Sequence, residues 1–174
     1  ALTINSGGTL TEDGGIWTIT VAGNWTNNGT FTANASTVKF TNTSTITGNT
    51  TFKNLKFDQN SATGKTFTIA SGTALTVTGT LTVDNTSSGT ITLSGGTINA
   101  QGGVNWDKAN AGTNTTDLYF NSSANQLLTI TGGSSTSGLF ASTTIAKTGG
   151  TLTVSGTLRT ANDFNHTAGT VDWT

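Results

Sequence analysis

One histidine, His166, and eight carboxylates are the residues of this chain best suited to proton transfer or metal binding. His166 sits in Asn165-His166-Thr167, at a predicted turn beside a strand, and no second histidine shares a metal with it. The acids Glu12, Asp13, Asp58, Asp84, Asp107, Asp117, Asp163 and Asp172 are scattered. Only Glu12 and Asp13 are adjacent, and neighbours on a strand point to opposite faces, so they do not make an acid-base pair. The chain has no cysteine, which removes thiol catalysis, disulfides and Cys-based zinc sites together. The lone arginine, Arg159, is expected to point outward. These residues predict no enzyme, no cofactor and no metal centre.

Four tryptophans are the remaining candidates, as platforms on which sugar rings stack. Trp17 alternates in phase with Ile19 and Val21, Trp106 with Val104, and Trp173 with Val171, so those three are expected in the core. Trp25, between Asn24 and Thr26, is the one possible ligand-stacking residue, with core packing the competing expectation.

Any such residue must be held by the elements around it, and here composition speaks first. Charged residues make up only 9% of the 174-residue chain, against about a quarter in ordinary globular domains, with a net charge of -1. Thr, Ser and Asn replace charge as the solubilising side chains. Disordered chains usually combine low hydrophobicity with high net charge, so a patterned, nearly neutral chain is expected to fold. With 7 Lys and Arg against 8 Asp and Glu and no basic cluster, nucleic acid is not an expected partner. No stretch approaches the roughly 20 apolar residues that cross a bilayer, so no membrane insertion is expected.

The dominant pattern is alternation of Thr with a large apolar residue, as in Trp17-Thr18-Ile19-Thr20-Val21, Thr66-Phe67-Thr68-Ile69, Leu75-Thr76-Val77-Thr78 and Thr90-Ile91-Thr92-Leu93. A period of two puts one set inward and the other outward on a strand. Glycine pairs such as Gly7-Gly8, Gly95-Gly96 and Gly149-Gly150 punctuate these strands as tight corners. Helical periodicity is missing. The inward set is expected to comprise Ile19, Phe31, Phe40, Ile46, Phe57, Ile69, Val77, Val83, Ile91, Val104, Phe120, Ile130, Leu152, Val154 and Leu158.

Internal similarity narrows the architecture. Thr37-Val38-Lys39-Phe40, Ile46-Thr47-Gly48 and Thr66-Phe67-Thr68-Ile69 return in order as Asp117-Leu118-Tyr119-Phe120, Ile130-Thr131-Gly132 and Thr151-Leu152-Thr153-Val154. The reading is a single all-β domain over 1–174 with degenerate repeats at about 21–100 and 101–174. The fold expected is a parallel β-solenoid of about seven rungs with essentially no helix, with a β-sandwich as the alternative. The absence of Pro agrees, because strands paired on both sides lose a ladder bond at proline.

Segments 23–32, 36–40 and 149–158 resemble the Thr/Gly/Asn-rich β-strand repeats of large bacterial cell-surface and secreted proteins, adhesins among them. The resemblance implies an extracellular or cell-surface location and a structural or adhesin role without naming a ligand; surface glycans are a separate possible partner. The two ends show no cap: the chain opens on the strand Ala1-Leu2-Thr3-Ile4 and closes on Val171-Asp172-Trp173-Thr174. Those eight residues are expected to form an assembly interface with a second copy, stacking head to tail into a filament or matrix fibre. A stalk fragment of a longer adhesin, and an ice-binding protein using outward Thr ladders, are the alternatives.

Overall fold

Thr, Val, Ile and Phe are β-branched or aromatic residues that suit a pleated, half-buried surface, and their alternation builds strands throughout the computed structural model. The structure describes residues 1–107, 110–131 and 139–174. Among these there is no helix, and every strand ladder is parallel. The chain winds as a β-solenoid of about seven turns, as the sequence predicts; the sandwich alternative would need antiparallel pairing.

Each full rung contributes one strand to each of three faces. Face one stacks β1 (Leu2–Ile4), β4 (Trp25–Asn27), β7 (Ser44–Thr47), β10 (Lys65–Ile69), β13 (Thr90–Ser94) and β16 (Asn110–Ala111). Face two carries β2 (Thr9–Thr11) on β5 (Thr30–Thr32), then β8 (Thr50–Phe52), β11 (Ala74–Val77), β14 (Thr97–Ala100) and β17 (Asp117–Phe120). Face three stacks β3 (Thr18–Val21), β6 (Thr37–Phe40), β9 (Asn54–Gln59), β12 (Leu81–Asn85), β15 (Val104–Asp107) and β18 (Gln126–Thr131). The long strand β19 (Thr143–Ser155) then turns a corner within itself, pairing β17 through Leu118↔Thr143 and β18 through Leu128↔Val154. Last comes β20 (Phe164–Trp173), which lies along β19.

In-register stacking turns the period-two pattern into columns. Leu2, Trp25, Ile46 and Ile69 form one inward column on face one. On face three the column runs Ile19, Val38, Leu55, Leu81, Val104, Leu128, Val154, Trp173. Of the fifteen residues expected inward, twelve are buried, and Ile19, Ile130 and Leu158 are partly buried against the same core. Aromatic contacts link neighbouring rungs: Phe57 lies 5.9 Å from Phe40 and 5.0 Å from Phe67, ring centre to ring centre.

The structural repeat is the rung, and it does not follow the two long repeats. Thr37–Phe40 lies on face three, whereas its sequence match Asp117–Phe120 lies on face two. All three faces use the same Thr-apolar alternation, so a shift by any whole number of strands produces similarity. The corners are where glycine is demanded. Gly48 has φ +88°, and a Cβ there would meet the Asn27 carbonyl oxygen at 2.0 Å.

Candidate functional site

Two regions gather residues that an edge or a ligand could use: the terminal rungs, and the outer surface of face three.

At one end, Leu2–Ile4 pairs with β4, and among the described residues no strand lies on its second edge. Ile4 is buried, Leu2 is half-buried, and Ala1 and Thr3 are exposed. A recess of about 380 Å³ is lined by Leu2 to Asn5 and Gly8 to Leu10. At the other end, β20 pairs with β19, and among the described residues no strand lies on its second edge. Val171 is half-buried, and Asp172, Trp173 and Thr174 are exposed. Phe164 continues the inward column of face two and Trp173 that of face three, yet they remain 44% and 55% exposed, 6.2 Å apart. The eight residues of the expected interface thus fall into two groups at opposite ends of the stack. His166 also lies in β20, with Nε2 2.9 Å from the Gly169 carbonyl oxygen.

Two of the tryptophan expectations are corrected. Trp173 is in phase with the core through Val154 but 55% exposed, because among the described residues no strand stacks on the second side of β20. Trp17 is 58% exposed because it precedes β3 and its indole N–H donates to Asp13 at 2.8 Å, which draws the ring out of the stack. The same bond, with a second from the Gly15 amide, holds the Asp13 carboxyl below the usual carboxylate range. Trp25, the possible stacking residue, has no face open to a ligand. It is fully buried between Phe31, Phe40 and Phe52, with its N–H donated to the Thr50 hydroxyl.

Face three carries what the sequence reading missed. Asp58, Asp84 and Asp107, taken as scattered, stand in one outward column on successive rungs. Beside them Lys56 lies 3.8 Å from Asp58 and 2.6 Å from Asp84, and Lys39 lies 3.6 Å from Asp58. Burial works to lower the Lys56 pKa, but its Asp84 hydrogen bond and the charges of Asp84, Asp58 and Asp107 outweigh it and raise the value. Asp107 accepts from the Thr131 hydroxyl at 2.7 Å. The spacing of these acids by one rung is the signal that finds them, once rung length is known.

Comparison with protein-family models, curated proteins and solved structures finds no match for the chain.

Two lysines are turned inward at the corners. The Lys147 ammonium donates to the Ser122 and Ala124 carbonyls and to Gln126 Oε1, at 3.0, 2.7 and 2.8 Å. Lys65 donates to the Thr41 and Asp58 carbonyls and to the Asn60 side chain. Burial pushes both pKa values down, and for Lys65 the Asp58 charge partly opposes that. Three acceptors match the three protons of an ammonium, so these lysines tie successive rungs together as structural clasps. Outward threonines line up over short runs, Thr3, Thr26 and Thr47 over three rungs and Thr45 and Thr68 over two before Ser94, while Thr20 is followed at once by Lys39.

Proposed function

We propose that this chain is an extracellular structural unit, a β-solenoid that extends by adding rungs at its ends, a second copy stacking head to tail to give a surface filament or matrix fibre. The observation that carries the reading is the pair Phe164 and Trp173, which continue core columns yet present about half of their surface to solvent. Large exposed apolar side chains in core phase, beside an unpaired strand edge, favour addition of another strand layer.

Geometry supports the register of the contact. The last rung ends on face three, and β1 belongs to face one, the face that follows it around the coil. A second copy placed in phase would set Leu10 of β2 over the Phe164 region and Ile19 and Val21 of β3 over the Val171–Trp173 region. This is a heterologous contact, which repeats without closing. Rungs supplied in covalent continuity, as in an adhesin stalk, would satisfy the same edges.

Electron microscopy of native material, together with denaturing mass analysis, tests the reading. Filaments that dissolve into 17.6 kDa chains support stacking of copies. A much heavier covalent chain moves the protein to the stalk reading. Dispersed monomers whose terminal-strand amides resist hydrogen exchange contradict rung addition altogether.

A further inference from the structure

We propose that a trough on face three, spanning the fourth to sixth rungs, binds a neutral oligosaccharide chain. The trough has a volume of about 440 Å³ and is lined by Thr82, Asn105, Asp107, Thr129 and Thr131. It lies between the two terminal rungs, on the outer surface, so the proposal stands independently of stacking.

Its shape follows from sequence. Thr82, Asn105 and Thr129 occupy one outward row in register, and Asp107 and Thr131 the next. Gly103 leaves the third row without a side chain beside them, and the following position of that row is Leu127, 47% exposed. The result is a polar floor with one apolar rim.

The chemistry is that of a sugar. Three hydroxyls and a carboxamide both donate and accept, and a carboxylate accepts from a pair of neighbouring hydroxyls. The Thr131 hydroxyl, 2.7 Å from Asp107, fixes the orientation of that carboxylate before any ligand arrives. Leu127 offers an apolar surface for the C–H face of a sugar ring. Asp107, the one charged group lining the trough, favours a neutral chain over a phosphorylated or uronic one. Because the rows repeat at about 4.8 Å along the axis, the polar groups form a line that suits an extended chain more than a single ring.

The test is titration of the isotope-labelled protein with cellohexaose, mannohexaose and maltohexaose, followed by amide chemical shifts. The expected result is saturable shifts at Asn105, Asp107, Thr129 and Thr131 with at least one of the three. Gly103→Thr, which puts a side chain in the row beside the trough and crowds its edge, should weaken that binding by at least about tenfold. Gly103 has an ordinary φ, and an added Cβ first meets the Leu127 carbonyl oxygen at 3.5 Å, so there is room for a Cβ at this position. Asp107→Asn, which retains the shape and an acceptor for Thr131, should weaken binding in the same direction, and it serves if Gly103→Thr unfolds. No shifts with any of the three at millimolar concentration, shifts centred elsewhere, or undiminished affinity in the variants would overturn the proposal.

Discussion

Lys56 Nζ lies 2.6 Å from Asp84 Oδ2, one rung away, and the same ammonium reaches Asp58 on its own strand. The lysine is about 29% exposed, so this pair should contribute no more than about 1 kcal/mol. Its folded pKa is raised above the ordinary 10.5. A raised pKa stabilises the fold fully below the unfolded value, and the contribution disappears as pH rises through the folded value. Thermal unfolding of the protein and of Lys56→Met should therefore differ at pH 8, and the difference should shrink as pH rises past the ordinary 10.5 through the raised folded value. A constant difference across that range would contradict the pairing.

Phe57 is wholly buried between Phe40 and Phe67, within the continuous core. Phe57→Ala should cost about 3 to 5 kcal/mol, because stacked rungs cannot close over the cavity without breaking register. Denaturant unfolding measures this, and a loss below about 1 kcal/mol would mean the columns are loosely packed.

Lys147 is 2% exposed and has all three ammonium protons placed. Lys147→Met keeps the bulk but leaves the Ser122 and Ala124 carbonyls without that donor, at about 1 to 3 kcal/mol for each acceptor left dry. Hydrogen exchange should show the corner around 122–126 opening first. Unchanged protection there would mean that water replaces the lysine at little cost.

Two glycines separate backbone strain from crowding. Gly72 has φ +75° with open space around it, whereas Gly48 has φ +88° and the Asn27 carbonyl oxygen where a Cβ would lie. Gly72→Ala should cost about 1 to 2 kcal/mol for the left-handed backbone alone. Gly48→Ala should cost clearly more, because it also pushes two rungs apart. Equal losses in calorimetry would show that the corner can relax.

The fold was legible because alternation and corner glycines carry it: Val38, Phe40, Val83 and Leu152 occupy the inward phase that their neighbours dictate. The phase could have revealed Lys65 as well, since it alternates with Phe67 and Ile69, but a charge in that phase is not read as buried unless its acceptors are known. The Asp58, Asp84 and Asp107 column was hidden for a different reason. Rung length varies, Thr37 pairing with Asn54 but Lys65 with Ile91, so no fixed period aligns the acids. Trp17 and Trp173 show the limits of phase: it does not foresee the local bond from Trp17 to Asp13, nor whether a strand stacks over Trp173.

The central claim, that the terminal rungs accept further rungs from a second copy, is tested most directly by sedimentation velocity of this chain against its Trp173→Asp variant over a range of concentrations. The account predicts species that grow with concentration for the parent chain and a 17.6 kDa monomer for the variant, whose charge cannot be buried between stacked rungs. A parent chain that sediments as a monomer at every concentration, indistinguishable from the variant, would contradict it.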